Sequence, residues 1–224
     1  MIYSVALDGP SGAGKSTIAK EVAKIKGIVY VDTGALYRTI ALFMIENQVD
    51  ITDEKAVSAA VLKAEISLEY KDGTQCILLQ GKDVSQKIRQ NEVSMAASTV
   101  SAYKSVRAFL LDTQRNVAKN NCVIMDGRDI GTVVLPCANV KIFISAKSEI
   151  RAHRRHKELI EKGQEIDFEQ VLKDIIQRDY NDINRKESPL KQAQDAVIID
   201  TSEMCFQQSV AAVIEIIDKK IDSL

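Results

Sequence analysis

The stretch Gly9-Pro10-Ser11-Gly12-Ala13-Gly14-Lys15-Ser16 narrows what this chain can become more than any other, because it matches G-x-x-x-x-G-K-[ST] in full. An apolar run, Tyr3–Leu7, precedes it, and an amphipathic segment, Ser16–Lys26, follows. In a strand–turn–helix setting the glycines let the backbone curl until successive N–H groups point inward at phosphate oxygens. The following helix adds the partial positive charge of its N-terminus. The pattern predicts a cradle for a nucleoside triphosphate from Gly9 through Ser16 to Thr17. Lys15 would reach the β- and γ-phosphates, and the Ser16 hydroxyl would ligate Mg²⁺. A merely flexible glycine-rich turn is the bland alternative; the complete match in its proper context argues against it.

The rest of the chain supplies a matching rhythm. Short runs rich in Val and Ile occur at Tyr3–Leu7, Ile28–Val31, Cys122–Met125, Val140–Ser145 and Ala196–Ile199. They lack polar alternation, as strands buried on both faces do. Helical patterns lie between and after them at Ser16–Lys26, Ala35–Asn47, Ser105–Lys119, Glu149–Lys162, Phe168–Asn184 and Phe206–Ile221. Strands alternating with helices imply right-handed crossovers, and hence a five-stranded parallel sheet with helices on both faces. One segment departs from this. Ile66, Leu68 and Tyr70 alternate with Ser67, Glu69 and Lys71, Asp72-Gly73 follows, and 74–80 reads as another strand. Asp-Gly between β-prone runs signals a hairpin. Residues 65–90 therefore read as a small antiparallel insertion in a core made of 1–64 and 91–224.

Composition limits the partners. The 224 residues carry a net charge of −1, which offers no global attraction to nucleic acid or a membrane surface. No run approaches the roughly 18 apolar residues of a membrane helix. The start of the chain lacks a basic n-region, so a cytoplasmic protein is expected. The four cysteines, Cys76, Cys122, Cys137 and Cys205, show no metal or disulfide spacing and read as buried free thiols.

Several acidic residues have two readings. Asp126 closes the run Val123-Ile124-Met125 at the carboxyl edge of its strand, where open α/β sheets bind ligands. It fits the carboxylate that holds Mg²⁺ directly or through water, or else a turn aspartate before Gly127. Asp8 has a weaker claim, since it can simply cap local backbone. Asp32 is either functional or an N-cap. The triphosphate cradle alone fits switches, motors and small-molecule kinases. No N-K-x-D guanine motif is present, and the chain is short for motor machinery, which leaves a compact kinase holding a second substrate.

Four further segments carry a resemblance. They are Asp32-Thr33-Gly34-Ala35-Leu36-Tyr37-Arg38, Asp126-Gly127-Arg128-Asp129-Ile130-Gly131-Thr132, Arg151-Ala152-His153-Arg154-Arg155, and the run from Arg178 to Arg185 ahead of Pro189-Leu190. With the phosphate cradle, they make the chain resemble the bacterial cytidylate kinases of the P-loop nucleoside-monophosphate kinase superfamily over essentially its whole length. The resemblance implies phosphoryl transfer from ATP to CMP or dCMP by a monomer, with no nucleic-acid or membrane partner. The antiparallel insertion becomes its monophosphate-binding part, and residues 151–167 a helical lid over ATP.

It also implies roles for single residues. Thr33, Tyr37 and Arg38 would line the acceptor pocket, with Arg38 on the monophosphate, while Ser98, Arg107 and Asp129 would read cytosine. Arg128, Arg178 and Arg185 would contact phosphate, and Asp182 the acceptor sugar. Lys15, Arg128, Arg155, Arg178 and Arg185 would serve the transfer, and Arg154 would join the cradle on ATP.

The chemistry agrees. A carboxylate such as Asp129 can accept from cytosine N4, and Arg107 can donate to the acceptors O2 and N3. The attacking phosphate oxygen is already anionic, so alignment and charge neutralisation suffice and no general base is needed. On pattern alone, Arg178 and Arg185 could instead pair with Asp182 at helical spacing. His153 and His156 read as part of an exposed helix face rather than as metal ligands.

Overall fold

A computed structural model of the chain describes residues 1–71, 74–161 and 163–223. In chain order the first elements are β1 (Ser4–Asp8), α1 (Lys15–Lys26), β2 (Val29–Asp32), α2 (Thr33–Glu46) and α3 (Glu54–Val61). Then come β3 (Ile66–Lys71), β4 (Thr74–Leu79), β5 (Lys82–Asp83), α4 (Asn91–Val100), α5 (Lys104–Asn120) and β6 (Val123–Gly127). A π-helical turn, Ile130–Val134, leads to β7 (Val140–Ser145), α6 (Ser148–Glu161), α7 (Phe168–Asn184), β8 (Val197–Asp200) and α8 (Phe206–Ile221). The five-stranded parallel sheet has the order β2-β6-β1-β7-β8, and a three-stranded antiparallel sheet has the order β3-β4-β5. The main sheet thus carries β1 in its middle, where the strand order reverses and α/β sheets open a crevice.

The chain divides into two compact units. One comprises Tyr3–Gly27 and Ile124–Leu224. Within it β1 pairs in parallel with β7, Val5 opposite Val140, and β7 pairs with β8. Val5, Ala6 and Leu7 are wholly buried, as an unbroken apolar run on a covered strand should be. The same expectation fails for β8, where Ile199 is buried while Val197 and Ile198 are exposed. At the margin of the sheet only one face is covered. β1 must end at Gly9, whose φ is +146°; a Cβ there would lie 2.0 Å from the Ile144 carbonyl oxygen in β7. Only glycine lets the two backbones approach so closely.

α1 buries Ile18, Ala19, Val22 and Ala23 along one stripe and stops at Gly27, whose left-handed N–H returns to the Ala23 carbonyl. α6 and α7 form a smaller cluster through Ala152, Leu159, Val171 and Ile175. His153 stacks on Phe168 with ring centroids 4.3 Å apart. His156 meets the edge of the same ring, and its Nε2 lies 2.9 Å from the Ile166 carbonyl. Both imidazoles therefore pack this helix pair, and His156 is half-buried rather than exposed.

The other unit comprises Met1–Ile2 and Ile28–Val123. Its centre is α2, which buries Ala35, Leu36, Ile40, Ala41, Leu42, Phe43 and Met44 and so is apolar nearly all round. The antiparallel sheet supplies Ile77 and Leu79 to this core, with Ile66 opposite Leu79 in register. The Asp72-Gly73 turn lies outside the described residues. Two helices were not foreseen. α3 is only eight residues long, begun by Asp53 accepting from the N–H groups of Lys55 and Ala56. α4 starts at Asn91 after Gln90, whose side chain makes no cap bond.

Cys76 and Cys122 are half-buried, and Cys137 and Cys205 exposed, so the expected burial does not hold. Among the described residues no helix is long and apolar enough to cross a membrane.

Ile40 lies at the centre of the α2 core with no exposed surface. Ile40→Ala should destabilise the chain by about 2–5 kcal/mol, read as a lower urea midpoint at unchanged m-value.

Candidate active site

The phosphate cradle begins where β1 ends. Gly9, Gly12 and Gly14 all adopt positive φ, and Gly14 caps α1 from the left-handed region at φ 86°. The loop thereby turns its N–H groups to one side. Pro10, Ser11 and Ala13 fill the loop, and Ser16 and Thr17 stand in the first turn of α1. Lys15 is buried, and its Nζ donates to the Pro10 carbonyl at 2.7 Å. Burial, and then the Arg128 guanidinium, push the Lys15 ammonium well below its ordinary value. The carboxylates of Asp126, Asp8 and Asp182 oppose them.

At the carboxyl end of β6, Asp126 accepts from the Ser16 hydroxyl at 2.7 Å. A serine and a carboxylate presenting hard oxygens side by side fit Mg²⁺, which keeps most of its shell as water and phosphate oxygen. Among the described residues no group of three or more His, Cys, Asp or Glu side chains could hold a metal alone.

Beyond Asp126 the chain passes through Arg128 and Asp129 into the π-helical turn. Arg128 Nε donates to Asp182 Oδ2 at 2.8 Å. Arg185 lies 3.8 Å from Asp182 and 3.7 Å from Asp129, and its Nε donates to the Ser188 carbonyl. Burial works to raise the Asp182 carboxyl, but Arg128, then Arg178 and Arg185, outweigh it and hold it low. Asp182 also anchors the segment after α7, because its carbonyl accepts from the Leu190 N–H at 2.7 Å. The structure thus gathers Lys15, Ser16, Asp126, Arg128, Asp129, Asp182 and Arg185 within one unit, with Arg178 close enough to act on Asp182. The pairing of Arg185 with Asp182, anticipated from helix spacing alone, is real and coexists with this clustering.

Asp8, at the last position of β1, reaches the same turn. Its two oxygens accept from the N–H groups of Ile130 at 2.8 Å and Gly131 at 2.7 Å. Burial lifts its carboxyl to about 6, against the pull of those two N–H bonds. Its backbone-capping role agrees with the humbler of the sequence readings.

The three arginines of α6 have separate surroundings. Arg154 donates to the hydroxyl and carbonyl of Thr201. Arg155 pairs with Glu158 one turn on, at a partly exposed position. Arg151, expected at the start of a mobile lid, is only 5% exposed and fixed on several sides. Its Nε donates to the Ala146 carbonyl at 2.8 Å, and Nη1 to the Ser11 carbonyl at 3.0 Å. A two-pronged pair with Asp179 of α7 completes it, at 3.1 and 2.5 Å. Sequence reasoning missed this clamp, because nothing in the spacing of Arg151 and Asp179 singles out the pair.

The other unit holds the remaining candidates. Asp32 is the N-cap of α2, accepting from the Ala35 N–H at 2.9 Å, and its second oxygen pairs with Arg38 at 2.9 Å. Both readings of Asp32 therefore have a physical basis. Arg38 Nε is buried with no hydrogen-bond acceptor among the described residues, which suits a side chain that receives an anion. Gly34 makes room for it, since a Cβ there would approach Arg38 Nη1 to 3.0 Å. Thr33 is buried at the start of α2. The Arg107 guanidinium stands 5.2 Å from the centre of the Tyr37 ring and donates to the Ser101 carbonyl. Ser98 lies one turn before Ser101, and its carbonyl accepts the Ser101 hydroxyl.

Two tests follow from the buried charges. Arg151→Ala should cost about 3–5 kcal/mol in urea unfolding, the range for stripping one partner from a buried pair. Arg151→Lys should recover little, because an ammonium cannot reproduce the fork. For Asp8, the folded chain keeps its proton up to about pH 6, whereas the unfolded chain releases it near 3.8. The folded state therefore binds more protons in that window, and this contribution to stability falls as pH rises through it. The stability of the wild type relative to Asp8→Asn should drop between about pH 4 and pH 6, by on the order of 3 kcal/mol, and level off above. Paired urea titrations across pH 4–8 would show it.

The model of the cytidylate kinase family matches residues 5–219. A cytidylate kinase from Carboxydothermus hydrogenoformans is 43% identical over 220 residues, covering 98% of this chain and 99% of that protein. One from Pediococcus pentosaceus is 46% identical, covering 96% of each. Another, from Lactobacillus gasseri, is 47% identical and covers 98% of this chain and 95% of its own length. Among solved structures, a shikimate kinase from Bacteroides thetaiotaomicron overlaps with a TM-score of 0.48 at 12% identity, covering 96% of this chain and 98% of its own. With a family match spanning both units and every segment of the site, the chain belongs to the cytidylate kinase family.

Proposed function

We propose that this chain transfers the γ-phosphoryl group of ATP to CMP or dCMP, giving ADP and CDP or dCDP. The observation that carries the reading is the cluster of Arg128, Arg185, Asp129 and Asp182 in the same unit as a complete phosphate cradle. A nucleotide-dependent switch needs the cradle but not a second set of phosphate-binding arginines.

The loop Gly9–Thr17 holds the triphosphate through its N–H groups, and Lys15 exchanges its bond to Pro10 for the β- and γ-phosphate oxygens. Ser16 and Asp126 would hold Mg²⁺, which when bound would supply neutralisation of phosphate charge. Arg128, Arg178 and Arg185 neutralise the acceptor phosphate and the transferring group, with Asp182 setting their positions and meeting the sugar. Arg154 and Arg155 act on the ATP side from α6, with the clamped Arg151 as the fixed base of the lid formed by residues 151–167. The acceptor oxygen attacks as an anion, so these groups align and neutralise rather than move a proton.

Cytosine is read by Asp129 accepting from N4 and by Arg107 and Ser98 at its other polar atoms. Thr33, Tyr37 and Arg38 complete the acceptor side, with Arg38 on the phosphate. The enzyme works in the cytoplasm as a monomer, with residues 65–90 as the monophosphate-binding insertion.

A kinase for another small acceptor, such as UMP or AMP, is the nearest rival. Coupled ADP release should rise sharply on adding CMP or dCMP and hardly at all with AMP or dTMP; equal turnover with AMP sinks the assignment. Asp129→Ala should lower kcat/KM for CMP on the order of 10²-fold while leaving ATP affinity nearly intact. An equal loss in ATP affinity would remove Asp129 from base recognition.

A further inference from the structure

Asp129 stands at the N-cap of the π-helical turn Ile130–Val134, a place where aspartate ordinarily folds back onto the first N–H groups of its own helix. Here it does not; the Asp129 side chain makes no cap bond. The N–H groups of Ile130 and Gly131, at the start of the turn, go instead to the two oxygens of Asp8, a residue 122 positions away from the nearer of them. Both oxygens are engaged at once, at 2.8 and 2.7 Å. Asp129 is left turned toward Arg185, 3.7 Å away, on the side where Arg128 and Asp182 meet. A Cβ on Gly131 would lie 3.2 Å from Lys141 Cδ and at ordinary contact distance, 3.4 Å, from Asp8 Oδ2.

We infer that Asp8 is a positioning residue for the acceptor base: by capping the turn in place of Asp129, it keeps the Asp129 carboxylate available to cytosine N4. This rests on the CMP kinase reading. Burial of a carboxylate disfavours its charged form, and Asp129 lies close enough to add repulsion, while Lys15 provides partial compensation. A purely apolar residue at the end of β1 would avoid that cost but would leave two buried N–H groups without acceptors. Asp129 would then be drawn back to cap its own turn.

The test compares the full-length wild type with Asp8→Asn. One amide oxygen can accept a single N–H, while the NH₂ group opposes the other. KM for CMP should rise about tenfold or more, several-fold further than KM for ATP, which Asp8 reaches only through its charge near Lys15. In an Asp129→Ala background the same substitution should have almost no further effect on CMP, because a residue acting through Asp129 has nothing left to position. Amide hydrogen exchange at Ile130 and Gly131 should quicken in Asp8→Asn. Should that variant fail to fold, Asp8→Glu, which keeps the charge but displaces both acceptors from the Ile130 and Gly131 N–H groups, should show the same split between the two nucleotides to a smaller degree. Equal losses for CMP and ATP would overturn the inference, as would full additivity with Asp129→Ala or an unchanged KM for CMP beside faster exchange. If the wild type does not phosphorylate CMP at all, the functional reading falls and takes the inference with it. An active wild type without the split removes the inference alone.

Discussion

The guanidinium of Arg151 ties together the phosphate loop, the end of β7 and α7 within the nucleotide-binding unit. It takes the carbonyl of Ser11 in the phosphate loop, the carbonyl of Ala146 just past β7, and both oxygens of Asp179 on α7. A loop of glycines has little stiffness of its own, since each glycine surrenders more conformational freedom on folding than any other residue. Clamping one of its carbonyls from outside restores definition at the point where phosphates must be met. Gly12 packs so closely on this arginine that a Cβ there would come within 3.2 Å of Arg151 Cβ. Because Asp179 neighbours Arg178 and lies on the helix that carries Asp182, the placement of those charges depends on the same anchor.

Those charges follow one design. Arg128, Arg185, Asp129 and Asp182 hold each other near 3–4 Å, so the arginines are aimed by carboxylates. Fixed partners of this kind remove the reorganisation that mobile side chains would need when a phosphoryl group acquires charge. The arrangement carries desolvation costs that mutual pairing offsets, which accounts for carboxylates standing among so many arginines. The Lys15 ammonium, pushed down by burial and by Arg128, fits the same picture of a crowded cationic site balanced by Asp126, Asp8 and Asp182.

Much of this was legible from residue order. The limits Phe168–Asn184 and Phe206–Ile221 match the observed α7 and α8, because long periodic segments with clear ends carry their own boundaries, and the short apolar run Val140–Ser145 matches β7 as well. The phosphate loop was legible for a different reason, since its chemistry fixes residue types at fixed spacing. Short helices α3 and α4 were not, as eight or ten residues give too little periodicity. Nor could the exposure of Ile198 be seen, because strand composition does not say which strand lies at the margin. The partners of Arg151 and Asp8 were hidden most deeply. Asp179 and the Ile130–Gly131 N–H groups meet them only through the tertiary fold, and no local pattern encodes such a meeting.

The close passage of Gly9 against β7 has a genetic corollary. Every single-base change that alters a glycine codon to another amino acid introduces a side chain with a Cβ. At this position any such atom would be driven into the Ile144 carbonyl oxygen, 2.0 Å away, in a backbone conformation that L-residues rarely adopt. Codon 9 therefore has no missense neighbour that the fold accommodates without parting β1 from β7. Lineages descending from this gene can drift at its silent third base, while the protein sequence there has no gradual path along which to move.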